Sequence, residues 1–466
     1  MKRAAIIYGR AESGIEKKAI EFLSVSLLDR TFEYPACYMA NAYEEREGVR
    51  PFFIGRRENN PHIAALGDEA LMNEEEYRIT VKDDAVYIEG YDDRGVLYGC
   101  MDFFDKYMIT LDNPKNRVDP INAFDSPLPD AVLSSYPSVK NRGFWTWGHV
   151  LYDYRGYFDH MARLKLNTLT VWNDVAPLNA EEIVSYAHAC GIKIIWGYSW
   201  LWETDCSKIQ IDSLDEEYSS EIFAQYEREY AHLGGDGIYF QSATELKTDK
   251  IGDVVIAEAV TRFVNRTASL FFEKYPNLEL QFGLHATSVH EHLDKIVLTD
   301  PRIRIVWEDC GAFPFSYYPR EVENFDETVD FMKKILHLRG EKECFGAVTK
   351  GLTLLNWGAF THPDAARVVG ISSAYMKKNR EARRIDTWHS LQALWLGYAD
   401  KALEMLRLMG EEKKGDAYIS ALVEDGMFDT QVMYPAALYA EMLWNVHAEL
   451  RTLMTDVALR PYVTFA

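Results

Sequence analysis

Short β-branched runs alternate along the chain with stretches whose apolar residues recur every three to four positions. Over roughly the first 110 residues the runs are Ala4 to Tyr8, Pro51 to Ile54, Tyr77 to Val81 and Ala85 to Glu89, with a helical pattern from about Ser13 to Leu28. Lys82-Asp83-Asp84 supplies turn chemistry between the last two runs and predicts a hairpin. Asp92-Asp93 then caps a helix reaching to about Met108. A segment rich in Pro, Asn and Asp, from about Leu111 to Pro137, reads as a linker. Residues 1–137 are therefore expected to form a small α/β domain with its linker.

From Asn141 the rhythm becomes strand, then amphipathic helix, repeated. Strands are predicted at Gly143 to Trp147, Thr168 to Trp172, Lys193 to Tyr198, Gly237 to Gln241, Leu278 to Phe282, Ile303 to Trp307 and Phe345 to Thr349. Helices are predicted between them, for example Tyr157 to Leu166, Ala180 to Cys190 and Val254 to Lys274. Such units build a doubly wound sheet or a (β/α)8 barrel of the TIM type. No strand-to-helix turn carries GxGxxG or GxxxxGK[ST], which weakens the nucleotide-binding alternatives and favours the barrel. An eighth strand is expected between Leu352 and Ile371. The barrel is bounded at 138–375, and 376–466 reads as a helical C-terminal region, with helices from Thr387 to Leu408 and Met433 to Leu453.

Composition sets the function classes. In 466 residues, 48% are apolar and 13% aromatic, enough for large packed units. The 50 basic and 72 acidic residues leave a net charge of −22 without a basic block, which disfavours nucleic acid. No run approaches the roughly 20 apolar residues of a membrane span, so no membrane partner is expected. The apolar run after Arg3 stops within five residues, short of a signal-peptide core of roughly 7 to 15. Six scattered cysteines without a CxxC pair suit reduced thiols, and the chain reads as cytoplasmic. Composition leaves a homo-oligomer open.

In a barrel of this type the active site lies at the strand C-termini. Eight of the eleven tryptophans fall between 145 and 357, nearly all at or just past predicted strand ends: Trp145, Trp147, Trp172, Trp196, Trp200, Trp202, Trp307 and Trp357. Trp145, Trp147 and His149 share one parity, as do Trp196, Tyr198 and Trp200, so each set faces one side of its strand. Flat aromatic rings with a polar tip suit the C–H faces and hydroxyl edges of sugars, and barrel packing is the alternative use for each. Acids share the rim: Glu245 follows the fourth strand, and Glu308 and Asp309 follow the sixth. Glycoside hydrolysis needs two carboxyl groups flanking the scissile bond, and two rim strands can supply them. Arg142, His149, Asn173, Gln241, His285 and Lys350 could grip hydroxyls or an anionic substituent. His290-Glu291-His292 lacks the i, i+4 spacing of a zinc helix and reads as solvated, and neither a metal site nor a cofactor is expected.

These motifs carry a resemblance. Tyr77 to Val81 and Gly90 to Gly99, with Asp93-Arg94-Gly95-Val96-Leu97-Tyr98-Gly99 the most specific part, look like the small domain preceding the barrel in family 20 β-N-acetylhexosaminidases and family 67 α-glucuronidases. Asn141 to Phe144, Phe158 to Asn167 and Trp172-Asn173-Asp174 are similar to the opening of the family 20 barrel. The resemblance spans about residues 1 to 245 and implies an exo-acting glycosidase acting on an oligosaccharide or glycoside. Family 20 enzymes carry Asp-Glu after the fourth strand, whereas Ala243-Thr244 precede Glu245 here, and the run from Gly237 looks more like the α-glucuronidase segment whose Glu is the general acid. That match gives Glu245 the acid role. Glu308, favoured over Asp309 as the second carboxylate, rests on its strand-end position alone. Two other readings compete: a carbohydrate-binding protein on the same scaffold, and a metal-dependent barrel hydrolase using His149, His285 and the rim acids.

Overall fold

The computed structural model describes residues 2–10, 12–111, 122–147, 151–173, 175–201, 210–244, 246, 248–284, 288–308, 325–340, 344–354, 365–371, 374–412, 416–424, 426–428 and 431–466. The N-terminal unit comprises β1 (Arg3–Tyr8), α1 (Gly14–Thr31), β2 (Ala36–Met39), β3 (Val49–Gly55), β4 (Tyr77–Lys82), β5 (Ala85–Gly90), α2 (Asp93–Asp102) and β6 (Ala131–Ser135). Its six strands form one sheet in the order β2-β1-β3-β5-β4-β6, with β4 antiparallel to both neighbours. The hairpin is present: Lys82 pairs with Ala85 around Asp83 and Asp84, whose φ values of 50° and 66° are those of a type I′ turn. Helix α1 starts on a capping box between Ser13 and Glu16, and Asp92 caps α2 by accepting from the Gly95 N–H. Strand β6 lies inside the predicted linker. Five residues set between Pro129 and Pro137 gave it the look of a connection.

Eight parallel strands then close a barrel: β7 (Asn141–Trp147), β8 (Thr168–Trp172), β9 (Lys193–Gly197), β10 (Gly237–Gln241), β11 (Glu279–Leu284), β12 (Arg304–Glu308), β13 (Phe345–Leu352) and β14 (Ala417–Val423). They are adjacent in chain order, and β14 pairs with β7 to complete the ring. Seven match the predicted strands closely. The eighth does not lie between Leu352 and Ile371 but at Ala417–Val423, inside the stretch expected to be helical. The helical segment that connects it to β13 runs over Ala374–Glu412, 39 residues with a kink at Tyr398, and its pattern overwhelms that of a short Ala-containing strand. The barrel therefore extends past residue 375. Its outer shell includes α3 (Tyr154–Arg163), α4 (Ala180–Ala189), α5 (Ser219–Glu229), α6 (Ile256–Lys274), α7 (Phe325–Leu336) and α8 (Ala374–Glu412). After β14 come α9 (Tyr434–Trp444) and α10 (Leu450–Leu459), where one continuous helix had been predicted. Among the described residues no helix is long and apolar enough to cross a membrane.

Helix α9 is buried along its whole length and closes the seam between the N-terminal unit and the strand N-termini of the barrel. The Trp444 ring meets Tyr77 and Tyr98 of the first unit, and the Arg142 guanidinium lies 5.2 Å from its centre. Around it runs a buried ionic network. Lys165 Nζ is 2.9 Å from Asp102 Oδ1 and 3.7 Å from Glu441 Oε2, while Lys106 and Arg460 reach Glu441 at 2.9 and 2.6 Å. Arg142 pairs with Glu75, which also accepts from Asn167 Nδ2 at 2.8 Å. Burial works against ionising Asp102, Glu75 and Glu441, yet the cations around them hold all three carboxyls below the usual range. Glu75 and Lys165 both sit at left-handed φ, 62° and 59°, a conformation costly for residues other than glycine.

Candidate active site

Alternation along each strand decides what reaches the lumen of the barrel. Trp145 and Trp147 of β7, Trp172 of β8, Ile195 of β9, Tyr239 of β10, Val306 of β12, Val348 of β13 and Leu422 of β14 form one cluster inside it. Four of these are aromatic and lie together: Trp145 and Trp147 are 4.9 Å apart edge to face, Trp172 is 6.0 and 5.8 Å from them, and Tyr239 lies 5.8 Å from Trp145. The Nε1 groups of Trp145 and Trp147 are buried. Strand β9 leaves room for this wall, because a Cβ at Gly197 would lie 2.7 Å from Trp172 Cε3.

The parity shared by Trp196, Tyr198 and Trp200 is real, but the shared side is the outer one. Trp200 stacks on Phe240 at 3.6 Å and on Phe271 of α6 at 5.5 Å. Tyr198 stacks on Tyr230 at 5.2 Å, and Trp196 packs against the same ring at 5.9 Å. Trp307 belongs to the same shell between strands and helices. Inward positions on β9 are Ile195 and Gly197. A glycine inside a strand marks a close approach from a neighbour, and that is the signal that distinguishes the two faces.

Glu308 stands at the mouth end of β12, across the barrel from β7 and β8, which carry the three tryptophans, and next to Tyr239. Its carboxylate Oε1 accepts from both Tyr239 Oη and Gln241 Nε2, and all three side chains are buried. Burial, and then the Glu308 charge, push the Tyr239 phenol well above its usual range, so it remains a donor at neutral pH. Lys350, also buried, lies two residues before the end of the neighbouring β13. Asn173, just past β8, is buried and donates to Val175 O at 2.8 Å, shaping the loop that leaves the strand. Arg142 is elsewhere: it is the second residue of β7, at the opposite end from the mouth, and is engaged by Glu75, Val139 O and Lys165 O. The backbone dictates this, since a residue entering a parallel barrel strand lies at the face away from the strand C-termini.

Glu245, Asp309, His149, His285, Trp202 and Trp357 lie outside the described residues. The approach to Glu245 is described, however: Ser288 N donates to Thr244 O at 3.1 Å, tying the end of β10 to the loop beyond β11. The mouth is also fastened on the side of β7 and β8. There Leu178 N donates to Arg367 O, Gly370 N to Leu151 O and Tyr154 N to Gly370 O, at 2.9 to 3.0 Å. Two groups escaped the sequence reading, Tyr239 and Gly283. Tyr239 has the parity of Gln241 on the same strand, and that signal was available. Among the described residues no group of His, Cys, Asp and Glu is placed to hold a metal ion, and His290 and His292 pair with Glu291 and Asp249.

No protein-family model matches the chain, and no curated protein matches it in sequence. Solved structures do match in shape. A β-N-acetylhexosaminidase from Bacteroides fragilis superposes with a TM-score of 0.56 at 13% identity, over 100% of this chain and 93% of that one. A mutant β-hexosaminidase from Streptomyces plicatus in complex with the product GlcNAc gives 0.54 at 11% identity, over 100% and 94%. A family 20 β-N-acetylhexosaminidase from Streptomyces coelicolor A3(2) gives 0.54 at 10% identity, over 99% and 94%. At these identities the likeness establishes a fold shared with glycoside hydrolases: a closed barrel preceded by a small α/β unit.

Proposed function

We propose that the chain is an exo-acting glycoside hydrolase using paired carboxylates, related in chemistry to the N-acetylhexosaminidases and α-glucuronidases. The observation that carries this reading is the polarity of the lumen. A cluster of Trp145, Trp147 and Trp172 on β7 and β8 lies across the barrel from β12, which carries a buried carboxylate, Glu308, held by Tyr239 and Gln241. An aromatic wall suits the C–H face of a pyranose, and a buried carboxylate opposite suits the positive charge that develops at the anomeric carbon.

In this reading Glu245, following the end of β10, protonates the departing glycosidic oxygen. Glu308, two strands further round the barrel, faces the anomeric carbon and either bonds to it or activates water. Gln241, Asn173 and Lys350 are the candidates for contacts to hydroxyls or an anionic substituent. Trp196, Tyr198, Trp200 and Trp307 serve packing, and Arg142 serves the seam beneath the barrel. The structures matched in shape favour an N-acetylhexosaminide as the substrate, while the Ala243-Thr244-Glu245 sequence, lacking the adjacent acid, favours a glycoside without that group.

A panel of nitrophenyl glycosides including N-acetylhexosaminides and glucuronides tests the proposal. The wild-type chain should hydrolyse at least one. Glu245→Gln should lose several orders of magnitude on substrates with poor leaving groups and spare activated aryl glycosides. Glu308→Ala should nearly abolish turnover, with partial recovery in azide or formate. Ligand binding without hydrolysis, or near-normal rates in both variants, refutes the assignment.

A further inference from the structure

Gly283 lies on β11, between the strand that carries Tyr239 and the strand that carries Glu308. In register it faces Gln241 on one side and Val306 on the other. The hydrogen bond from Tyr239 to Glu308 therefore passes over the inner face of β11 at this residue. A Cβ here would overlap Tyr239 Oη and Glu308 Oε1 and would lie 2.7 Å from Tyr239 Cζ. The backbone of Gly283 is not in the left-handed region, so alanine could adopt its conformation. The requirement for glycine is one of space.

We propose that Tyr239 is a positioning residue for Glu308, and that the missing side chain at Gly283 is what admits the contact. The inference rests on the reading of Glu308 as a catalytic carboxylate. A carboxylate on a two-carbon stem can turn about its terminal bond, and two donors converging on Oε1 remove that freedom. Fixing one oxygen fixes the direction of the other, which sets how the carboxylate meets an anomeric carbon. Tyr239 suits this task better than a second amide would. Its ring is packed against Trp145 and Trp172, so the hydroxyl is delivered from a rigid body. The packing that holds the aromatic wall thus also holds the carboxylate, and the two sides of the site keep a fixed spacing.

Kinetics on the nitrophenyl glycoside that the wild-type chain hydrolyses best decide the matter, with melting temperatures measured alongside. Tyr239→Phe keeps the ring and removes only the donor. It should lower kcat about 10- to 100-fold, the range for a lost hydrogen bond to a charged group, with KM within about twofold. Gly283→Ala should shift kcat in the same direction. The double variant should be no worse than the poorer single one, because both changes break one contact. If Gly283→Ala does not fold, Tyr239→Phe alone decides. If Glu308→Ala abolishes turnover while Tyr239→Phe keeps kcat within twofold, positioning is overturned and the glycosidase reading stands. Strictly multiplicative losses overturn the shared contact. Should Glu308→Ala retain turnover, or the wild type hydrolyse nothing on the panel, the glycosidase reading and this inference fall together.

Discussion

Replacing Lys165 with Met would remove one ammonium from the buried seam while keeping much of its volume. Lys165 is fully buried, and its partner Asp102 belongs to the N-terminal unit while Glu441 belongs to α9. Breaking a buried ion pair from one side costs about 3 to 5 kcal/mol. Lys106 and Arg460 still accompany Glu441, and Tyr77 and Lys106 still accompany Asp102, which places the loss near the lower figure, about 3 kcal/mol. Differential scanning calorimetry converts that into a temperature. Unfolding entropy is about 2.1 cal/mol/K per residue near 60 °C, so if the chain of 466 residues melts as one unit, each kcal/mol moves the midpoint by about 1 °C. Lys165→Met should then lower a single transition by about 3 °C. If instead the N-terminal unit melted alone, roughly 137 residues would shift by about 10 °C and separate from the rest. A midpoint unchanged within 1 °C, or two resolved transitions in the wild type, would refute the view that this network makes one cooperative body.

Three other outcomes follow from the same structure. Trp147→Ala should weaken carbohydrate binding by calorimetric titration more than it lowers the melting temperature, whereas Trp200→Ala should cost about 3 to 5 kcal/mol of stability with affinity unchanged. Because the Glu75, Asp102 and Glu441 carboxyls are held below their usual range, the stability they contribute is present at neutral pH. It should be lost as pH falls below about 4, and an acid titration followed by circular dichroism should show Glu75→Gln less stable than wild type at pH 7 but converging with it in acid.

Seven barrel strands were legible because each is a short apolar run bounded by turn residues, and the eighth was hidden by the helix before it. The fate of the rim residues divided along one physical line. Alternation shows that Trp196, Tyr198 and Trp200 share a face, but only a neighbour's demand for space, written as Gly197 beside Trp172, says which face is inner. Glu308 could be located from its strand end. Its donors could not, since the contact with Tyr239 crosses an intervening strand and depends on a glycine whose meaning appears only in three dimensions. Arg142 looked like a rim group because the start and end of a seven-residue strand are close in sequence, although they lie at opposite faces of the barrel.

The closing pair of the barrel has a consequence for biosynthesis. Asn141 of β7 hydrogen-bonds alongside Tyr418 of β14, so the first barrel strand waits until the chain has been made as far as β14. At about 5 to 20 residues per second, that interval lasts about 15 to 55 s. Throughout it the β7 edge facing β14 has no partner within the chain, and an unpaired strand edge is a template for association with other chains. Asp102 and Lys106 wait longer still, since Glu441 follows β14. Folding of the barrel in the cell is thus timed by the arrival of β14 and α9, and the nascent chain is most exposed to aggregation just before they emerge.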